Sequence, residues 1–271
     1  MLEKNKYLVA IDLDGTLLKD DKTISKESIN YLHQFEKEGN IVVITSGRAP
    51  RSVIKYRNIL GISGPFSSYN GTYAFFENDI PAIEYKLDKD FVKELYKKVI
   101  HKEVYSVMAE NLTTIYYDLE NKDLKLFLEP IGMDVIEGDI DKILDSDPYV
   151  FIMQLNDPLE ENQDKLREIF KDIPDYEIRF WNESSFAEIY QRGVSKASTL
   201  EKIVEFCRVN KENVLVFGDA ENDVELLESF ENSFFMCNGC KELSKYAKYI
   251  TKKDNNHNGV ISSIQEFIKS K

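Results

Sequence analysis

Asp12 and Asp14 stand two residues apart in Asp12-Leu13-Asp14-Gly15-Thr16. In extended backbone that spacing aims both carboxylates the same way, and Gly15 lets the chain turn after them. Carboxylates side by side repel unless a cation lies between them. Hard oxygen donors on few residues suit Mg²⁺, which keeps several waters and shares the phosphate oxygens of a substrate. The competing reading is an Asp-Gly turn with solvated charges. An EF-hand loop is excluded, because the glycine is fourth instead of sixth and Thr23 stands where the closing Glu belongs.

Three further stretches carry compatible groups. Ser46-Gly47-Arg48 pairs a hydroxyl with a glycine just before a helix, which suits a phosphate cradle but also describes a common turn. Gly193-Val194-Ser195-Lys196 opens a helix with a lysine, which the helix dipole disfavours unless an anion is near; a solvated lysine is the alternative. In Gly218-Asp219-Ala220-Glu221-Asn222-Asp223, Asp219 offers a third carboxylate, Asn222 a ligand contact and Asp223 a group that orients others from behind. Asn222 or Asp223 could equally serve as a helix cap. Three carboxylates, a hydroxyl, an amine and backbone donors together form the inventory of phosphoryl transfer through an aspartyl-phosphate.

These groups need elements to hold them. The apolar runs at 7–11, 41–44 and 214–217 read as strands buried on both faces, and 234–236 as another. Ser25 caps a helix carrying Ile29, Leu32 and Phe35, and Gly39 stops it. Pro50 suits the first turn of a helix running to about Leu60, and the spacing at 194–207, 223–229 and 260–268 is also helical. The β-α-β-α order implies an α/β fold with a mostly parallel sheet. Each reactive stretch then falls at a strand's carboxyl end or a helix start, which is the ligand edge of such a sheet. Between about Glu84 and Ala187 the pattern changes. Mixed polar and apolar strands at 105–108, 113–117 and 149–155, with helices after Asp88 and Pro158, predict an inserted α+β layer whose sheet has one wet face.

The 271 residues carry a net charge of −13, which excludes a basic nucleic-acid groove but says nothing about one cleft. No apolar run is long enough to span a membrane. Three Cys build no disulfide framework, and no signal-like segment precedes residue 7, so the expected setting is the reducing cytoplasm. Cys237-Asn238-Gly239-Cys240 lacks the second pair that zinc needs, and His33, His101 and His257 show no partner spacing. Trp181, Tyr105, Tyr116 and Tyr117 could stack on a substrate ring, though packing explains them as well. No dinucleotide or kinase-type glycine loop occurs.

In order and spacing these stretches resemble the haloacid dehalogenase (HAD) superfamily, specifically the Cof-type phosphatases of subclass IIB. The likeness rests on Asp12-Leu13-Asp14-Gly15-Thr16-Leu17, Ser46-Gly47-Arg48, Asn70-Gly71, Gly193-Val194-Ser195-Lys196 and Gly218-Asp219 with Asn222-Asp223. Met236-Cys237-Asn238 and Asn258-Gly259-Val260 extend it, so that it covers about half the chain. Ser46 replaces the usual Thr and keeps the hydroxyl. Cys237, with Gly239 or Cys240, replaces two small residues around Asn238. The resemblance implies a Rossmann-like parallel-sheet core of residues 1–83 and 188–271, interrupted by an α+β cap of type C2 at 84–187. It implies Asp12 as nucleophile, and Asp14 as the acid that protonates the leaving alcohol and then activates water. Ser46 and Lys196 would hold the phosphoryl oxygens, with Gly47, Arg48 and Asn222 around the substrate. Mg²⁺ would sit on the Asp12 carboxylate, the Asp14 backbone carbonyl and Asp219, with Asp223 behind. Residues 17–24 resemble the flap after the nucleophile, and the cap would close over the site, exclude water and select the leaving group.

The expectation is a Mg²⁺-dependent, cytoplasmic phosphatase acting on phosphomonoesters of small metabolites, of the sugar phosphate, pyridoxal phosphate or flavin mononucleotide type. It implies no nucleic acid, membrane or obligate protein partner. A phosphohexomutase would return the phosphoryl group to its substrate. A phosphoacceptor signalling module would keep a long-lived aspartyl-phosphate, but such modules run to about 120 residues and carry no hundred-residue insert.

Overall fold

The computed structural model of the chain describes residues 6–77, 80, 82–118, 132–181 and 184–271. The apolar runs become strands Leu8–Ile11 (β1), Ile41–Thr45 (β2) and Val214–Gly218 (β12), with every residue buried. Their side chains alternate between two cores. Val9, Ile11, Val42, Ile44, Leu215 and Phe217 enter one, and Leu8, Ala10, Val43, Val214 and Val216 enter the other. Burial on both faces is what makes these strands continuously apolar.

The sheet order is β14-β13-β12-β1-β2-β3-β4-β5, with Phe66–Ser68 (β3), Tyr73–Phe75 (β4), Ile83–Glu84 (β5), Asn232–Phe235 (β13) and Tyr249–Ile250 (β14). Pairing is parallel from β14 through β3 and reverses between β3 and β4. Helices Lys26–Lys37, Pro50–Leu60 and Gly259–Lys269 cover one face, and Lys196–Cys207 with Val224–Ser229 the other. Ser25 caps the first of these by accepting from the Ser28 amide at 3.0 Å.

Two compact units result, residues 1–83 with 194–271, and residues 84–193. The second contains a sheet of order β10-β11-β9-β6-β7-β8, built from Val104–Glu110 (β6), Thr114–Tyr117 (β7), Asp134–Glu137 (β8), Val150–Leu155 (β9), Tyr176–Phe180 (β10) and Phe186–Gln191 (β11). It is antiparallel except between β7 and β8. Helices Lys89–Val99 and Leu159–Lys171 pack on one face through Val92, Leu95, Leu166 and Phe170, against Val107, Phe151 and Met153.

Two expectations for this unit need correction. Its sequence boundary at Ala187 falls inside β11, whose pairing with β9 and β10 carries the unit to Gly193. The face away from the helices is not wet along the central strands. Ser106, Met108, Glu110, Ile152 and Glu188 are buried there. Polar residues on that face are satisfied by protein partners, as in Arg179–Glu188 at 3.1 Å and Ser106–Gln154 at 3.3 Å, so polarity in the sequence does not signal water. Among the described residues no helix is long and apolar enough to cross a membrane.

Phe217 is fully buried on β12 and stacks on Phe234 with ring centroids 4.7 Å apart. Phe217→Ala is expected to lower the stability of the first unit by about 3–5 kcal/mol. Urea unfolding followed by circular dichroism measures the loss.

Candidate active site

The parallel strands deliver three reactive segments to one edge. Asp12 follows β1, and its amide continues the ladder by donating to Phe217 O at 3.1 Å. Ser46 follows β2 and donates its amide to Ser67 O, while Asp219 follows β12. Lys196 is the first residue of its helix. Ser195 caps that helix reciprocally: its Oγ accepts from the Ser198 amide at 3.2 Å, and its own amide donates to Ser198 Oγ at 2.9 Å.

The lysine explains why a cation stands at a helix start. Lys196 Nζ donates to Asp12 Oδ1 and to Asp223 Oδ1, both at 2.7 Å, and all three side chains are nearly inaccessible to water. The other Asp223 oxygen accepts from the Asp219 and Ala220 amides at 3.1 and 3.2 Å, which ties the turn after β12 to the lysine. Gly218 is required there, because a Cβ on it would lie 2.4 Å from Asp223 Cβ.

After Asp12 the chain does not stay extended. Residues 13–17 make a wide turn in which the Leu17 amide donates to Asp12 O and the Leu18 amide to Leu13 O. Gly15 adopts φ +72°, and a Cβ there would come within 2.1 Å of Asp219 Oδ2. The turn gives the two carboxylates different partners, Lys196 for Asp12 and Arg48 with Lys22 for Asp14. Arg48 grips Asp14 with two donors, Nε to Oδ2 at 2.6 Å and Nη2 to Oδ1 at 2.9 Å, and Lys22 Nζ adds a third at 2.7 Å. Arg48 is thus engaged with Asp14, and also with Ser52 Oγ at 3.1 Å.

Asp12, Asp219 and Asp223 each place a carboxylate oxygen within 4.8 Å of the others. The side chain of Asp14 is not part of this group, and that of Asp223 is. Asp219 accepts from Thr16 Oγ1 at 2.8 Å. Ser46 is buried; its Oγ accepts from the Arg48 amide at 3.2 Å and its carbonyl from the Asn70 amide. Gly47 runs beside Asn70, whose Oδ1 accepts from Asn222 Nδ2 at 2.9 Å. Lys22, Thr16 and Asn70 also enter the site, without a role that the sequence motifs assign them. Thr16 and Asn70 lie inside the motif stretches, but Lys22 reaches Asp14 only through the fold of the intervening loop, which no local spacing reveals.

Burial raises the Asp12 carboxyl well above its ordinary range, against the pull of Lys196. Burial, and then the charge of Asp223, push Asp219 up to about 7. Burial works against the charge of Lys196, but Asp12 and Asp223 outweigh it and raise its pKa. Asp14 is the opposite case. Burial favours its neutral form, yet the hydrogen bonds from Arg48 and Lys22 prevail and hold it at about 2. Three clustered carboxylates against one ammonium leave excess negative charge on hard oxygen donors, and this fits a Mg²⁺ ion.

The model of the haloacid dehalogenase-like hydrolase family matches residues 9–264. The 5-amino-6-(5-phospho-D-ribitylamino)uracil phosphatase YitU of Bacillus subtilis is 30% identical over 270 residues, covering 98% of this chain and 99% of its own. A second Bacillus subtilis phosphatase of the same description, YcsE, is 27% identical over 263 residues, covering 96% of this chain and 95% of its own. The solved structure of the HAD subclass IIB sugar phosphatase BT4131 superposes with a TM-score of 0.78 at 20% identity, covering 97% of this chain and 99% of that one. This last likeness is one of fold.

Two measurements test the electrostatics. Asp219 has a folded pKa of about 7, above the ordinary value near 3.9, so the native state binds more protons than the unfolded chain between those pH values. In chelator-treated protein the Tm is therefore expected to fall as pH rises from about 4 to about 7, with a shallower slope in Asp219→Asn. Below pH 4 the sign reverses, because the depressed Asp14 loses its contribution as pH falls toward about 2. Lys196→Met leaves two buried acids without their cation, and urea unfolding at pH 8 is expected to show a loss of about 3–5 kcal/mol.

Proposed function

The chain belongs to the haloacid dehalogenase-like hydrolases and is a phosphomonoesterase, and from that premise we propose that it hydrolyses a small metabolite's phosphomonoester with Mg²⁺ and an Asp12 nucleophile. The observation that carries this reading is the buried Lys196 ammonium shared by Asp12 and Asp223. It fixes one Asp12 oxygen and leaves the carboxylate's other oxygen to attack phosphorus.

In this reading Lys196 and the Ser46 hydroxyl hold the phosphoryl oxygens, with the Gly47 and Arg48 backbone and Asn222 lining the same edge. The Asp12 oxygen forms a bond to phosphorus, the ester P–O bond breaks, and the departing alkoxide takes a proton from Asp14. Water then attacks the aspartyl-phosphate, Asp14 takes its proton, and inorganic phosphate leaves with Asp12 regenerated. Mg²⁺ held by Asp12, Asp219 and the Asp14 carbonyl would offset the charge on the phosphoryl oxygens. Asp14 is ionised while Arg48 and Lys22 hold it, so acting as the acid requires it to leave them and acquire a proton. Asp223 orients Lys196 and the turn after β12. Leaving-group selection falls to residues 84–193.

The proposed substrate is a phosphorylated sugar or polyol. Two relatives are named for a uracil bearing a phosphoribitylamino chain, which supports a ribityl phosphate attached to a heteroaromatic ring. Flavin mononucleotide carries the same kind of chain, and pyridoxal phosphate stays in the panel as a ring without it. Neither nucleic acid, membrane nor an obligate protein partner enters this reading, and its setting is the cytoplasm.

The test is phosphate release from 5-amino-6-(5-phospho-D-ribitylamino)uracil, flavin mononucleotide, pyridoxal phosphate, hexose phosphates and p-nitrophenyl phosphate, with Mg²⁺ or with chelator. Release is expected with Mg²⁺, to be lost on chelation, and to fall by at least about 10³-fold in Asp12→Ala. Full activity in Asp12→Ala overturns the mechanism. An isomerised hexose phosphate in place of free phosphate identifies a mutase.

A further inference from the structure

Cys237 and Cys240 are both exposed, in the loop that leaves β13. The two residues between them are both placed against the site. Asn238 Nδ2 donates to Gly15 O at 2.7 Å, in the turn that follows the nucleophile, and Asn238 Oδ1 accepts from the Asn255 amide at 3.1 Å. Gly239 lies against the carbonyl of Asp219, where a Cβ would come within 2.5 Å of the oxygen. The loop is pinned at its base by the Met236 amide donating to Gly218 O, and it turns through a Gly239 amide bond to Met236 O at 2.9 Å. Any tightening between residues 237 and 240 therefore acts on Gly15 and Asp219 together.

We propose that Cys237 and Cys240 form a reversible disulfide that loosens this anchor and lowers phosphatase turnover. The proposal rests on the phosphatase reading for its effect on turnover, and for the bond on two exposed thiols three positions apart beside the Met236–Gly239 turn. The two thiols are separated by two residues, in a loop that already bends back on itself, and a disulfide needs its Cα atoms about 4.4–6.8 Å apart. The Cys240 thiol donates to Glu242 Oε2 at 2.8 Å. With a low-molecular-weight disulfide as oxidant, one of the two thiols, as its thiolate, displaces one small thiol and forms a mixed disulfide. The other, as its thiolate, then attacks the protein sulfur of that mixed disulfide and releases the second small thiol, so two protein thiols are oxidised and one disulfide is reduced. In a reducing compartment such a bond is transient, as a regulatory disulfide must be. Cys207 is the internal control, because burial pushes its thiol up to about 11.

The full-length protein is reduced, freed of reductant, treated with oxidised glutathione and quenched with iodoacetamide. The peptide containing residues 237–240 is expected to lose two mass units and escape alkylation. Hydrogen–deuterium exchange is expected to quicken across residues 12–18, and p-nitrophenyl phosphate turnover to fall by about 10- to 100-fold. Dithiothreitol is expected to reverse all three. Cys237→Ser and Cys240→Ser keep the basal rate and lose the response. Alkylation of both thiols after oxidation overturns the proposal, and so does a disulfide that leaves exchange at 12–18 unchanged. If the reduced protein hydrolyses nothing, the phosphatase reading fails, and mass and exchange still decide whether the bond forms and loosens the turn.

Discussion

A lysine ammonium with no access to water, held between two carboxylates, sets the terms for the rest of the catalytic unit. Lys196 and Asp12 lie 184 positions apart in the chain, and their contact joins the first core segment to the last. Neither partner is tolerable there alone: a lone buried charge costs several kcal/mol, whereas the hydrogen-bonded set offsets much of that penalty. Asp223 completes the arrangement by holding the lysine with one oxygen and the turn after β12 with the other. The close approaches at Gly15 and Gly218 follow from the same constraint, since side chains there would push the carboxylates apart.

The acidic balance of the chain takes on a local meaning around this cluster. A net charge of −13 is unpromising for an enzyme that binds phosphate. The site divides its acids into two groups with different counterions. Asp14 is satisfied by Arg48 and Lys22, while Asp12 and Asp223 share one ammonium and Asp219, clustered with them, takes a hydroxyl donor from Thr16. Burial, and then the neighbouring acids, raise the carboxyl pKa values at Asp12 and Asp219, and a divalent cation on the same oxygens would lower them.

Much of this architecture is legible in the residues themselves. Doubly buried strands show as unbroken apolar runs, and helix starts show through Ser25 and Pro50, because burial and capping are local demands. Legibility ends where the chain's path overrides a periodic rule. The two-residue spacing of Asp12 and Asp14 is meaningful in a strand, but β1 stops at Ile11 and the wide turn sends the carboxylates to different cations. The resemblance implies Arg48 around the substrate, and the pairing of its guanidinium with Asp14 is one that only tertiary structure supplies. The inserted sheet shows the converse problem. Its polar residues suggested a hydrated face, and ion pairs such as Arg179–Glu188 let that face be dry.

The discontinuity of the core has a temporal side. Leu8 pairs with Ile41 on one flank of β1 and with Val214 on the other, so the central strand gains its second neighbour only after the whole inserted unit has been synthesised. During translation β1 carries a bare edge of amides and carbonyls, and Asp12 has no ammonium beside it. The long closure between β1 and β12 comes late and slowly. Reactivity is then the last property the nascent chain acquires: until Lys196 is made, Asp12 is an acid with nothing to aim it.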